Sequence, residues 1–320
     1  MKKGNRVSPN FLNVRSYRGL ILVQSKESYS KWRIWILAAR PKTLWAAIAP
    51  VIIGTAMAIN AGGGHGLAAI AALTSALFIQ IGTNLANDYF DFKKGADTIE
   101  RLGPTRVTQT GLLSPEQVKM AAHLAFKIAF LIGIYLVIRG GWPIVIIGLL
   151  SIFFGIIYTG GPFPLGYKGL GELFVLIFFG PVAVGGTYYV QTLSINWQVI
   201  LAGFAPGLLA VAILTVNNLR DIESDTTAGK KTLAVRWGAS YCKIQYTLAI
   251  FLASIIPVII SLKTSSHPYV TLAALTILMA IPLLKKVFTY QSAPELNRVL
   301  ESTGRLLLLY SLLFSLGWFL

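Results

Sequence analysis

The stretch Asn84-Leu-Ala-Asn87-Asp88-Tyr-Phe-Asp91-Phe-Lys-Lys-Gly-Ala-Asp97 stands where a long apolar run over 66–88 ends. The 320-residue chain has only 12 Asp and Glu, and Asp88, Asp91 and Asp97 all fall here. A helix running to about Asp91 places Asn84, Asn87, Asp88 and Asp91 at i, i+3, i+4 and i+7, on one face. Clustered carboxylates repel one another unless a cation lies between them, and an all-oxygen ligand set suits Mg²⁺. Taken alone, the stretch is either a solvated polar helix end or a cation site.

The apolar run is one of many. Hydrophobic residues make up 55% of the chain and charged residues 12%, about half the charge of an ordinary soluble domain. Mean hydropathy is +0.66. Runs of about 20 apolar residues span a bilayer, and nine candidates are read at 43–60, 66–88, 117–138, 142–159, 170–190, 197–218, 243–262, 268–288 and 303–320. The expected fold is therefore all-α, a polytopic bundle of nine transmembrane helices capped by loops. Residues 31–320 form one transmembrane domain. Residues 1–30, with Lys2, Lys3, Arg6, Arg15, Arg18 and Lys26, form a basic arm that can touch anionic lipid. Trp32, Arg33 and Trp35 anchor the first run at the interface.

Charge sorts the connections. The short ones, 61–65, 139–141, 191–196 and 263–267, contain only Arg139 and Lys263. The long ones, 89–116, 160–169, 219–242 and 289–302, together with the amino-terminal region, hold most of the other Lys and Arg. By the positive-inside rule the long loops and the amino terminus are cytoplasmic, which places the protein in the cytoplasmic (inner) membrane. The net charge of +16 is then a topology signal rather than a nucleic-acid footprint. The lone Cys242 excludes disulfides and a cysteine metal site. Three scattered histidines argue against zinc. Lys127, inside the third run, either faces the bundle interior or snorkels to the interface.

A second cluster matches the first. In Asn217-Asn-Leu-Arg220-Asp221-Ile-Glu223-Ser-Asp225, Asn217, Asp221 and Asp225 recur at i, i+4 and i+8. Four runs separate the clusters, an even number, so both emerge on the same side. Cations surround them: Arg101 and Arg106 after the first, Arg220, Lys230, Lys231 and Arg236 around the second. Carboxylates mixed with cations suit a metal–diphosphate complex, in which the acids hold Mg²⁺ and the Lys and Arg meet phosphate oxygens. No Walker loop is present, which disfavours nucleotide hydrolysis. A third loop, from Tyr158 to Glu172, adds Lys168 and Tyr167. Its tyrosines are either interfacial belt residues or walls of a cationic-intermediate site. A diphosphate at the membrane face implies a lipid diphosphate, whose allylic C–O bond ionises once the leaving group is stabilised.

The paired Asp-rich motifs resemble those of the UbiA superfamily of intramembrane aromatic prenyltransferases. Local stretches resemble its menaquinone-pathway branch, whose acceptor is 1,4-dihydroxy-2-naphthoate. These are Arg40-Pro-Lys-Thr-Leu44, the 84–97 stretch, Arg106-Val-Thr-Gln-Thr-Gly111, Tyr158 to Glu172, and Asn217 to Gly238 with Gly229-Lys230-Lys-Thr-Leu233. The resemblance covers about residues 31–320. It implies nine helices, with Asp88, Asp91, Asp221 and Asp225 as the catalytic acids that carry Mg²⁺. It further implies Asn84 and Asn217 as supports, and Arg106, Lys168, Arg220 and Lys230 as diphosphate partners. The implied reaction transfers a polyprenyl group from its allylic diphosphate to the aromatic acceptor, with release of diphosphate and loss of CO₂. Many superfamily members carry a third acid four residues after the second; here that place is Gly95, and Asp97 is the nearest candidate ligand. Two alternatives stand beside this reading. One is a relative that prenylates 4-hydroxybenzoate, homogentisate, haem or a chlorin. The other is an ion-coupled transporter, against which the acids' position at span ends argues.

Overall fold

Prolines and glycines divide the apolar runs into helices. The structure, a computed structural model, describes residues 29–96, 103–264 and 266–320. Residues 1–28 of the expected basic arm lie outside the described residues, as does Asp97. The helices are α1 (Lys31–Ala39), α2 (Pro41–Asn60), α3 (Gly66–Lys93), α4 (Pro115–Gly140), α5 (Trp142–Ile157), α6 (Gly171–Phe178), α7 (Pro181–Thr192), α8 (Trp197–Arg220), α9 (Ile222–Thr227), α10 (Leu233–Thr264), α11 (Thr276–Thr289) and α12 (Leu296–Phe319). No strand occurs among the described residues. Eight segments are long and apolar enough to cross a membrane, and the 16-residue α5 takes the remaining expected position. At 1.5 Å per residue α5 is only about 24 Å long.

Two expected spans are not single helices. The run read at 170–190 is α6 and α7, broken at Gly180 with φ −111° and ψ −116°. Pro181, which has no N–H to lose, restarts the helix. Opposite the break, α8 carries Gly203 and Gly207. A Cβ on Gly203 would lie 2.7 Å from the Pro181 Cα, and one on Gly207 would lie 2.5 Å from the Leu176 carbonyl oxygen. Backbones meet there because side chains are missing. The run read at 268–288 opens as a 3₁₀ segment, Pro268–Leu275, before α11. It presses on α12, where a Cβ at Gly317 would fall 2.8 Å from the Val270 Cα.

The most enclosed helix is α8. Its Leu209, Ala212, Val216 and Leu219 join the largest buried cluster, with Ile53 and Met57 of α2, Tyr246 and Ile250 of α10, and Tyr310 and Phe314 of α12. Within it the Tyr246 hydroxyl and Thr303 Oγ1 share a buried 2.8 Å hydrogen bond. The outer surface is apolar, with Ile138, Leu262 and Leu278 exposed. Exposed tryptophans mark both ends: Trp32 and Trp237 at the long-loop end, Trp142 and Trp197 at the short-loop end. This is the arrangement of a bilayer-embedded bundle with interfacial belts. Lys127 is exposed on the outer face of α4, which fits snorkelling rather than a place in the interior.

Candidate active site

The end of α3 presents the first cluster inward, with Asn84, Asp88 and Asp91 all buried. Asn84 Nδ2 donates to the Ala39 carbonyl at 3.0 Å and to Thr43 Oγ1 at 2.9 Å, which brings the Arg40–Leu44 corner to the site. Asp88 Oδ2 accepts the Val107 backbone N–H at 3.2 Å. Asp91 is held twice, by the Arg106 guanidinium at 2.9 Å and by the Tyr167 hydroxyl at 2.7 Å. Asn87 Oδ1 accepts from Thr159 Oγ1 at 2.7 Å.

The second cluster crosses a helix break without losing its face. α8 ends at Arg220 and α9 begins at Ile222, yet Asp221 N–H donates to the Asn217 carbonyl at 3.2 Å and Asp225 N–H to the Asp221 carbonyl at 2.8 Å. The i→i−4 pattern thus runs on through the junction. Arg220 forks onto both Asp221 oxygens, at 2.8 and 2.6 Å, and also reaches Asn217 at 2.9 Å and Asn297 at 2.8 Å. Lys230 pairs with Asp225 at 3.0 Å. Burial pushes the Asp225 carboxyl up, Lys230 pulls it back, and the nearby Asp221 and Asp91 charges push it up again.

The Tyr158–Glu172 loop joins the two clusters. The Tyr167 ring carries the Lys94 ammonium 4.7 Å from its centre and the Lys230 ammonium 5.0 Å from it, while its hydroxyl reaches Asp91. One side chain therefore connects the first cluster to the cation that pairs with the second. Gly169 adopts φ +73°, and a Cβ there would lie 2.9 Å from the Lys231 carbonyl oxygen. Lys231 N–H donates to the Tyr167 carbonyl at 2.8 Å, so the loops lie backbone to backbone. Lys168 is not brought to the acids: it is exposed, with its ammonium over Phe163 at 5.3 Å. Sequence reading missed Lys94, whose signal was its place three residues after Asp91 on the same helix end. It donates to the Thr159 carbonyl at 2.6 Å; burial lowers its pKa, Asp91 raises it and Lys230 lowers it. Also missed was the buried pairing of Glu172 with Asn218, 2.9 Å apart.

Beneath the clusters lies an apolar cavity of about 750 Å³. Asn84, Asn87 and Tyr158 line its polar end, and Leu136, Ile144 and Val190 its far end. Phe154, Phe174 and Phe178 form an aromatic wall, with Phe154 and Phe174 ring centres 4.5 Å apart. Tyr167 is not among the lining residues.

The donor set fits Mg²⁺ in kind, being carboxylate and amide oxygens without Cys or His. Asp88 Oδ1 is buried beside Thr108 and makes no hydrogen bond of ordinary geometry among the described residues, so the carboxylate keeps acceptor capacity. No three acidic, His or Cys side chains among the described residues already sit at metal-ligand spacing. Arg106, Arg220 and Lys230 each close on an acid instead.

Residues 47–313 match the UbiA prenyltransferase family. The chain is 39% identical to a 1,4-dihydroxy-2-naphthoate octaprenyltransferase of Haemophilus influenzae, over 90% of this chain and 96% of that one. It is 38% identical to the Escherichia coli protein of the same name, over 92% and 98%. Among solved structures it resembles a UbiA homologue from Archaeoglobus fulgidus bound to GPP and Mg²⁺, with TM-score 0.69 at 13% identity, covering 90% of this chain and all of that one. It also resembles an apo UbiA homologue from Aeropyrum pernix, with TM-score 0.65 at 17% identity, over 87% and 97%.

Proposed function

Because the chain belongs to the UbiA prenyltransferase family, we propose that it transfers a polyprenyl group from an allylic diphosphate to 1,4-dihydroxy-2-naphthoate with loss of CO₂. The observation that carries this reading is two buried acidic helix ends, joined through Tyr167, above an apolar cavity lined by Asn84, Asn87 and Tyr158. The names of relatives at 39% and 38% identity support the acceptor. The basic long loops support a cytoplasmic site and amino terminus.

Asp88, Asp91, Asp221 and Asp225 would hold Mg²⁺, which supplies positive charge to the diphosphate as it leaves. Asp97 remains a candidate further ligand. Arg106, Arg220 and Lys230 act as exchangeable counter-ions: paired with the acids now, they turn to phosphate oxygens when the diphosphate arrives. Lys94 adds a fourth cation over the Tyr167 ring. Asn84 and Asn217 position the ends of the two motifs. The cavity keeps water from the allylic cation, and Tyr158 with the Phe154–Phe174 wall offers it aromatic faces. The prenyl carbon loses its C–O bond, whose electron pair leaves with diphosphate. It gains a bond to the carboxylated ring carbon, and the carboxylate leaves as CO₂, returning its electron pair to the ring. The product is demethylmenaquinol.

An acceptor panel tests this reading. Purified protein with Mg²⁺ and octaprenyl diphosphate is offered dihydroxynaphthoate, 4-hydroxybenzoate and homogentisate. Product from dihydroxynaphthoate alone is expected. Product from another acceptor and none from dihydroxynaphthoate would overturn the reading.

A further inference from the structure

Three helices line the cavity at matched depths. A Cβ on Gly82 of α3 would lie 2.9 Å from Phe126 Cδ1 of α4, and one on Gly155 of α5 would lie 2.5 Å from Thr83 Oγ1 and 3.7 Å from Phe126. Residues 82–83, 126 and 155 therefore share one level just below Asn84. Seven residues away from the acidic end is two turns on each helix, the same face and roughly 10 Å deeper. Those steps lead from Gly82 to Ser75, from Phe126 to Gly133 and from Gly155 to Gly148. All three line the cavity. A Cβ on Gly133 or on Gly148 would meet nothing within 4 Å. Gly186 of α7 closes the ring from the fourth side, with room for a Cβ 3.5 Å from Ile147. Ser75 is only 7% exposed, and its Oγ has no hydrogen-bond partner among the described residues.

We propose that Gly133 and Gly148 are specificity-determining residues for tail length: their missing side chains open the bore through which a long polyprenyl tail passes. This rests on the prenyl-transfer reading above. A geranyl tail is about 10 Å long when extended, from carbon–carbon bonds of ~1.5 Å. With its diphosphate at the acids it ends above this girdle. An octaprenyl tail is about four times longer and must pass between Ser75, Gly133 and Gly148 toward Leu136 and Ile144. Glycine is also among the poorest helix formers, so two of them facing the same cavity level are not there for helix stability.

The test compares Gly133→Leu and Gly148→Leu, with Gly133→Ala and Gly148→Ala as gentler forms, on geranyl and octaprenyl diphosphates. For each Leu variant, kcat/KM with octaprenyl diphosphate is expected to fall at least tenfold, and with geranyl diphosphate by less than threefold. The Ala variants shift the ratio the same way by less. Equal losses for both donors, or no loss for either, overturn the proposal. A second readout, heat stabilisation of the protein by each donor with Mg²⁺, needs no acceptor. It should lose the octaprenyl effect and keep the geranyl effect in the Leu variants. If wild-type protein is stabilised by both donors but makes no product from dihydroxynaphthoate, the acceptor assignment fails while the girdle is still judged by this ratio.

Discussion

Tyr167→Phe removes one oxygen and leaves the ring in place. The lost contact is the 2.7 Å hydrogen bond to Asp91 Oδ1. Hydrogen bonds to charged groups contribute about 1.5–3 kcal/mol, and the half-buried position of Tyr167 puts this one at the lower end. A loss of about 1.5 kcal/mol is about tenfold. Arg106 still holds the other Asp91 oxygen at 2.9 Å, so the carboxylate stays in the site but turns more freely. The cost should therefore fall on assembly of the charged end: kcat/KM for the prenyl diphosphate at limiting Mg²⁺ drops about tenfold, and saturating Mg²⁺ recovers most of it. Tyr167→Leu also strips the ring from beneath Lys94 and Lys230, at 4.7 and 5.0 Å. Two cation–π contacts on this half-buried ring add about 1–2 kcal/mol, a further ~5–30-fold. Initial rates across an Mg²⁺ titration, with thermal midpoints as folding controls, measure both. Tyr167→Phe within twofold of wild type at every Mg²⁺ concentration would refute the linking role assigned to this residue.

Asn218→Leu strands the buried Glu172 carboxyl and should destabilise the protein by about 1–3 kcal/mol in detergent unfolding. Glu172→Leu with Asn218→Leu should cost less than Asn218→Leu alone, because both polar partners are then gone. Gly207→Ala forces a methyl to within 2.5 Å of the Leu176 carbonyl oxygen and should cost about 1–3 kcal/mol, seen as a lowered thermal midpoint. Chelation with EDTA should abolish turnover and Mg²⁺ should restore it. The thermal midpoint should hardly move, because Arg106, Arg220 and Lys230 already neutralise Asp91, Asp221 and Asp225.

Much of this was legible in the sequence because the bilayer imposes length and polarity so strictly. Nine apolar runs became eight long spans and the short α5, and the scarcity of acids made the two clusters visible. The i, i+4 spacing carried through: Asn217, Asp221 and Asp225 keep one face even across the α8–α9 junction, since the backbone hydrogen bonds continue. The break inside the 170–190 run was hidden, because Gly180-Pro181 inside an apolar run reads equally as a kink or a stop. What decides it is Gly203 and Gly207 on another helix. Tyr167 and Lys94 were hard to place for the same reason. Their roles depend on a loop laid against Lys231 and on a ring flanked by two cations, contacts between segments far apart in the chain. Lys168, a diphosphate partner by the family resemblance, lies with its ammonium over Phe163 instead.

The central claim is that the two acidic helix ends form one metal–diphosphate site. The most direct measurement is Mg²⁺-dependent binding of a thio-linked geranyl diphosphate analogue to wild type, Asp88→Asn, Asp221→Asn and the double variant. Groups that act as a unit are strongly non-additive. Each single variant should lose nearly as much affinity as the double variant. Losses that simply add, or an Asp221→Asn variant that binds like wild type, would contradict a shared site.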